Sequence, residues 1–345
     1  HARCDLIRHR MSSRFWCIGV SAPSAPIGVR ESLLLKAGEG PAAGGRLKAL
    51  GLADSALLHS CARFELFSGS GEGGLRGGLS WFDERAGRSL AGALRIRRGT
   101  EALAHLFRVA AGLESAVPSD PHVRHLIRDR YREACAWGMA GPLMHRAFQR
   151  ALHVRTRIRQ QARLSSRFRS FGEAAADILL RLSEDGAGKG LIVFGAGRAG
   201  EDAARRLCEL GRPDVMLCGR DAGATASLAA RTGAAAAGIA EGLSALPAAR
   251  AALFACACAK PLMDRAPALR ARRSLALTIV DAGLPRNVDP RLRKAAGILL
   301  HDLDDIHRLI KGLSNPRTEG MRKAEEIVSA EVEGFLEGSG REEFV

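Results

Sequence analysis

The chain has 345 residues, of which 46% are hydrophobic and 26% charged, and a formal net charge of +15. That length suffices for two domains and an appendage. The apolar content excludes a disordered chain, and no apolar run approaches the roughly 18–20 residues of a membrane span. Strong positive charge favours a polyanionic partner by steering and counterion release. Overuse of Ala, Gly and Arg accounts for the charge equally well.

The first ten residues, HARCDLIRHR, are basic and lack the apolar core of a signal peptide, and Met11 is an alternative start. An apolar stretch at 15–20 (FWCIGV) precedes the loop SAPSAP and a helix-like run with Glu31 and Leu33–Leu35. The Gly-rich piece 38–45 reads as a loop, 54–67 as a strand, a tight site and a second strand, and Gly-rich 68–78 as a flexible connector. From Glu101 to Arg163 the pattern is helical. Val123, Leu126, Ile127, Tyr131 and Ala134 share one face, and Leu143, Ala147, Ala151, Val154 and Ile158 another. Arg146, Arg150, Arg155, Arg157, Arg159 and Arg163 fall mostly on the other side of that second helix, as a solvated face or a phosphate-reading one.

After Gly186 strand and helix signals alternate. Strands are predicted at 191–194, 214–220, 251–257, 275–285 and 297–304, and one amphipathic helix over 316–337, ending near Gly338. No internal repeat is visible. The eight cysteines (Cys4, Cys17, Cys61, Cys135, Cys208, Cys218, Cys256 and Cys258) are scattered, with no CxxC pair, which fits a reducing cytosol and a cytoplasmic protein. Cys256 and Cys258 lie in a strand-like run and face one side. No partner pair with ligand spacing accompanies them, so no metal site is expected.

Two motifs carry chemistry. In LLHSCARFE at 57–65, Ser60, Arg63 and Glu65 crowd around Cys61, and a nearby cation such as Arg63 favours the nucleophilic thiolate. Read alone, Cys61 serves equally as a half-buried structural thiol. Gly195, Gly197 and Gly200 form a GxGxxG directly between a strand and a helix, the setting of a dinucleotide fingerprint. The next strand ends in Gly219-Arg220 where a free ribose hydroxyl calls for an acid. A guanidinium there suits a 2′-phosphate, favouring NADP over NAD, although Asp221 follows. A thiol upstream of a nicotinamide domain suggests thioester formation followed by hydride reduction to an aldehyde. His59, His105, His122 and His125 are the candidate proton-transfer partners, and spacing does not choose among them.

Together these segments resemble a known family. LLHSCARFELF is similar to the segment around the nucleophilic cysteine of glutamyl-tRNA reductase, and HLFRVAAGLESAV at 105–117 to that family's second signature. The similarity continues through YREACAWGMAGPLMHRAFQRALHVRTRIR, FGAGRAG, VDAGLPRNVDP and HDLDDI, in the family's order, over about 16–335. It implies an α/β multidomain fold: an α+β N-terminal catalytic domain (14–165), a long connecting helix, a Rossmann-type NADP-binding domain (166–308) and the remnant of a C-terminal spine helix (309–345). It implies Cys61 as nucleophile and His105 as important for activity. Ser60, Ala62, Arg63, Glu65, Ser115, Asp120, Pro121 and His122 are the implied substrate contacts, with Arg63 on a carboxylate. Gly195, Ala196, Gly197, Arg198, Ala199, Gly200 and Arg220 are the implied NADPH contacts. The implied reaction converts glutamyl-tRNA to glutamate-1-semialdehyde, the first committed step from glutamate to tetrapyrroles. The downstream aminomutase is an implied partner, and no membrane is involved.

The sequence departs from the family's pattern around the substrate. Ala62 stands where the family carries Asn, Ser119-Asp120-Pro121-His122 where it carries Gly-Glu-Pro-Gln, and Leu126 replaces a later Gln. Ala22, Pro23 and Ser24 replace a His–basic–Thr run. The chain ends at Val345, leaving only the start of the spine helix expected and homodimerisation open. A paralogue that binds without efficient turnover, as a regulatory protein of tetrapyrrole metabolism, is the second reading.

Overall fold

The computed structural model describes residues 14–22, 24–164, 166–183, 190–212, 214–264, 276–313 and 319–342. Cys4, Met11 and Pro23 lie outside them. The chain forms two units, His1–Ser166 with Asn315–Val345, and Arg167–Ser314.

In the first unit, β1 (Trp16–Ser21), β2 (Ser55–His59), β3 (Arg63–Ser68) and β4 (Arg95–Arg98) make an antiparallel sheet in the order β2-β3-β1-β4. Alternation along the strands sends Trp16, Ile18, Leu57, Phe64 and Leu66 to one face. There they pack with α1 (Ile27–Leu33), α2 (Gly40–Ala49) and α3 (Gly71–Ala86). Cys17, Ala56, Leu58 and Phe67 meet α4 (Gly99–Ala111), α5 (His122–Ala136), α6 (Pro142–Gln161) and the C-terminal helix (Glu319–Glu342) on the other. With both faces covered, β3 is buried throughout.

Two loops expected from glycine content are helices. The piece 38–45 opens α2, helped by a proline in its first turn, and 68–78 enters α3. Here packing overrides propensity. A Cβ on Gly77 would sit 2.5 Å from the Leu50 carbonyl oxygen, and the Trp16 indole N–H donates to the Gly71 carbonyl at 2.9 Å. These glycines let the helix lie close enough to cover the sheet.

The arginine side of α6 is in part engaged by other elements of the first unit. Arg150 and Arg157 both pair with Glu331 of the C-terminal helix, the latter at 2.8 Å, and His153 lies 3.7 Å from the same carboxylate. Arg146 covers the Phe335 ring at 5.0 Å, and on α4 Arg108 pairs with Glu325 at 2.9 Å. Arg155 is buried and donates to the carbonyls of Ala110 and Asp120, both at 3.1 Å. Arg159 and Arg163 are exposed. The segment 309–345, expected to stand as one remnant, is divided: its first residues end a helix of the second unit, and the C-terminal helix completes the first. That helix runs on past Gly338 to Glu342.

The second unit begins with α7 (Phe171–Leu182) and continues through β5 (Leu191–Phe194), α8 (Arg198–Glu209), β6 (Val215–Gly219), α9 (Ala222–Thr232), β7 (Ala235–Gly238), α10 (Ile239–Ala245), β8 (Ala251–Phe254), β9 (Leu277–Asp281), β10 (Ile298–His301) and α11 (Leu303–Leu313). The sheet is parallel, in the order β10-β9-β8-β5-β6-β7. This is the doubly wound dinucleotide-binding order, whose direction reverses between β5 and β8. The short edge strand β7, AAAG, carries no apolar alternation and was not anticipated. Among the described residues no helix is long and apolar enough to cross a membrane.

Glu331 is 1% exposed and serves two arginines at once. Glu331→Ala should therefore destabilise the protein by about 1.5–3 kcal/mol, the worth of a charged hydrogen bond. Denaturant unfolding of the variant, set beside Glu333→Ala on the exposed face of the same helix, checks this.

Candidate active site

The β2–β3 hairpin makes a tight turn. His59 pairs with Phe64 and the Ser60 amide donates to the Arg63 carbonyl at 2.8 Å, leaving Cys61 and Ala62 at the tip. The Ser60 hydroxyl accepts from the Ala62 amide at 3.2 Å, and the Ala22 amide donates to the Ala62 carbonyl at 2.7 Å, tying the tip to the end of β1. Beneath it lies Arg30, fully buried on α1, which donates from Nη1 to the Cys61 carbonyl and from Nε to the Ala25 carbonyl at 3.3 Å. Cys61 is half-buried, and burial pushes its thiol up, with Arg30 the strongest opposing influence and Asp120 reinforcing the rise. Arg63, the cation expected to favour the thiolate, contributes less than Arg30. The sequence does carry a signal for Arg30: it follows Ile27 by three and precedes Leu33 by three, a charge on an apolar stripe.

Arg63 is directed elsewhere. Alternation puts Arg63, Glu65 and Phe67 on the face toward α4, where His105 sits 1% exposed. His105 Nε2 lies 3.0 Å from Glu65 Oε1, and Nδ1 lies 2.8 Å from Glu114 Oε1. Arg63 donates to Glu65 Oε2 at 3.2 Å and to the Glu114 carbonyl at 3.0 Å. A carboxylate on each nitrogen is the arrangement that favours a doubly protonated imidazole. Burial disfavours that charge, but Glu114 and Glu65 together raise His105 above its ordinary value. Burial likewise works against the Glu65 carboxylate, yet Arg63 and His105 hold it down to about 2. Arg63 and His105 thus face Glu65 and Glu114 in one cluster. Both ring nitrogens of His105 are engaged.

The remaining candidates surround this centre unevenly. Glu114 and Ser115 lie in the turn after α4, and the Ser115 amide donates to the Gly112 carbonyl at 3.4 Å. Ser119 adopts φ 61°, and Asp120 Oδ1 accepts the His122 amide at 2.8 Å, so the carboxylate starts α5 with Pro121 exposed beside it. Leu126 packs against the core. Of the other histidines, His59 meets Arg130 and lies 3.4 Å from Glu133, and burial lowers it toward the neutral form. His125 lies 3.4 Å from an Arg128 nitrogen. At the N-terminal end of the region Ala22 contributes its amide and Ser24 bonds back to Ser21.

In the second unit the glycine loop joins β5 to α8. Gly195 has φ 118°, and a Cβ there would stand 2.5 Å from the Ala255 carbonyl oxygen; a Cβ on Gly200 would stand 1.7 Å from the Gly195 carbonyl oxygen. No side chain fits at either position. Gly197, at the start of α8, faces open space, as Ala196, Arg198 and Ala199 around it remain at least partly exposed. That is the cradle a pyrophosphate needs at a helix N-terminus. Arg220 is exposed after β6, whereas Asp221 caps α9 by accepting the Ala224 amide at 2.8 Å. The ambiguity over Asp221 is thereby reduced: its carboxylate already serves the helix. Two residues not singled out in the sequence order the far side. Asn287 holds both the amide and the carbonyl of Cys256, at 2.8 and 3.1 Å, and Asp281 accepts the amides of Gly283, Asn287 and Val288.

Comparison with known proteins follows the same division. Residues 18–162 match the family model described as glutamyl-tRNAGlu reductase, N-terminal domain, and residues 177–309 that of shikimate / quinate 5-dehydrogenase. The glutamyl-tRNA reductase of Syntrophotalea carbinolica is 29% identical over 93% of this chain and 74% of its own length. Glutamyl-tRNA reductase 2 of Anaeromyxobacter dehalogenans is 28% identical over 93% and 72%. Among solved structures, glutamyl-tRNA reductase from Methanopyrus kandleri aligns with 94% of this chain and 80% of its own, at 23% identity and a TM-score of 0.49.

Because burial holds the Cys61 thiol above its ordinary value of 9.0, thiolate is scarce at neutral pH and still rising at pH 9. Iodoacetamide labelling of the Cys61 peptide, followed by mass spectrometry, should accelerate about tenfold per pH unit from 7 to 9 without a plateau. Arg30→Met should slow it further at every pH.

Proposed function

The chain belongs to the glutamyl-tRNA reductase family, and from that premise we propose that it reduces glutamyl-tRNA to glutamate-1-semialdehyde with NADPH, the opening step of tetrapyrrole synthesis. The observation that carries the reading is the presentation of Cys61 at the tip of a pinned hairpin turn, with its carbonyl held from below by Arg30. A nucleophile so fixed is pre-oriented toward a carbonyl carbon.

In this reading Cys61 Sγ attacks the glutamyl carbonyl. The new C–S bond replaces the ester C–O bond, and the thiol proton leaves with the ribose hydroxyl of the tRNA. Arg63 receives the substrate's side-chain carboxylate, competing with Glu114, whose Oε2 lies 3.8 Å from Nη1 and whose side chain is 31% exposed. Ser60, Ala62, Ser115, Asp120, Pro121 and His122 line the approach. His105, clasped by Glu65 and Glu114, keeps Arg63 and its strand in place and holds positive charge behind the turn. When bound, NADPH supplies the hydride that reduces the thioester. The fit of the glycine loop supports the dinucleotide, and exposed Arg220 beside a committed Asp221 supports its 2′-phosphate. Reduction returns the Cys61 sulfur and releases the aldehyde. The cytoplasm is the proposed compartment.

The second reading, binding without turnover, draws support from the raised Cys61 thiol and the saturation of His105. One assay separates them. Purified protein given glutamyl-tRNA and NADPH should yield semialdehyde, and without NADPH should release free glutamate through thioester hydrolysis. Cys61→Ser should abolish both. Formation of neither product by the wild type favours the binding reading, and unchanged turnover in Cys61→Ser discards the nucleophile.

Cofactor preference provides a separate check. Arg220→Ala should raise KM for NADPH about 10–100-fold, the cost of a charged hydrogen bond, while leaving KM for NADH nearly unchanged.

A further inference from the structure

We propose that Cys17, Glu65 and His105 form a binding site for a single zinc ion in the core of the first unit, sharing Glu65 and His105 with the charged cluster behind the Cys61 turn. The three residues come from β1, β3 and α4 and are separated by at least forty positions. Their candidate ligand atoms, one thiol sulfur, one carboxylate oxygen and one imidazole nitrogen, all lie within 4.8 Å of one another. In the sheet register Cys17 stands opposite Phe67 and Gly19 opposite Glu65, so the thiol and the carboxylate are diagonal neighbours on one face. The His105 ring stacks on Phe67 at 5.9 Å, which brings its edge over the same spot.

The surroundings are those of a metal centre. His105 presents Nε2 to Glu65 Oε1 at 3.0 Å, while Nδ1 lies 2.8 Å from Glu114 Oε1. A carboxylate on the far nitrogen fixes the tautomer and orientation of a ligating imidazole. Glu65 uses Oε2 for Arg63 and Oε1 for His105 Nε2. Thiolate, imidazole and carboxylate together select zinc over calcium or magnesium, which require oxygen ligands throughout. Ligand distances of roughly 2.0–2.3 Å to a central ion are within reach of atoms this close.

Entry of the ion would release the Cys17 thiol proton, and any proton on His105 Nε2, to solvent, while Arg63 stays on Glu65 Oε2. Three protein ligands leave a fourth position for water, and the half-exposed Glu114 side chain is the cluster's opening to solvent. No two of the ligands share a segment, so no spacing in the chain announces the site.

The full-length chain, stripped with a chelator and shown by circular dichroism to remain folded, is titrated with zinc against a chromophoric competitor and separately with cobalt(II). One ion per chain and a thiolate-to-cobalt charge-transfer band are expected. Cys17→Ser should lose the band and weaken zinc at least tenfold, and Glu114→Gln should weaken it about 10–100-fold. The double variant Cys256→Ser/Cys258→Ser should behave as wild type. Absence of stoichiometric zinc, or a band that survives Cys17→Ser, overturns the proposal. Should Cys17→Ser fail to fold, X-ray absorption of zinc-loaded wild type decides: one sulfur with nitrogen and oxygen neighbours supports the site, and none or several refute it.

Discussion

Strand β3 carries Arg63 and Glu65 into a core where neither charge is tolerable alone, and the first unit is organised around that constraint. An unpaired ion there would cost several kcal/mol, so each must find an opposite partner with good geometry. Glu65 finds Arg63 beside it and His105 across the sheet face, and His105 in turn requires Glu114. The requirement fixes the register of β3, the rotation of α4 and the course of the turn that follows it. Replacing such a cluster with apolar residues can be neutral or stabilising elsewhere.

The same constraint explains the division of labour among the arginines. Arg63 satisfies the core, and Arg30 satisfies the turn from beneath. The thiol is consequently governed by burial and by Arg30 more than by its neighbour in sequence. Proximity along the chain is a poor guide to electrostatic proximity at a strand, because residues two apart share a face and residues one apart do not.

Much of the fold was legible from local pattern. The strand–turn–strand around Cys61 and the strand–glycine–helix at 191–209 depend on short-range rules, and both appear where the residues place them. The two apolar faces at Val123–Ala134 and Leu143–Ile158 are in the core as their spacing requires. Failures occurred where tertiary contacts decide. The glycines of 68–78 resemble loop formers until Trp16 and Leu50 are in place to receive a close helix, and those of 38–45 until Trp137 is. The arginines of α6 appear solvent-facing until a helix more than 150 residues away supplies Glu331. Within the site, Cys61, Ser60 and Arg63 follow from one short segment. Arg30 comes from a distant segment with no motif, and Glu114, Asp281 and Asn287 lie inside the quoted segments 105–117 and 280–290 without any spacing that names the groups they meet.

The C-terminal helix has a consequence for how the protein is made. Ala324, Ile327, Val328, Val332, Phe335 and Leu336 belong to the same apolar core as α4 and α6, although the whole second unit separates them in the chain. On a ribosome, residues 14–164 emerge first yet lack the surface that covers them. The second unit has all of its strands in one continuous stretch and is free to fold as soon as it emerges. The first unit is thus completed after the second, and its uncovered helices are the surface a nascent-chain chaperone would meet.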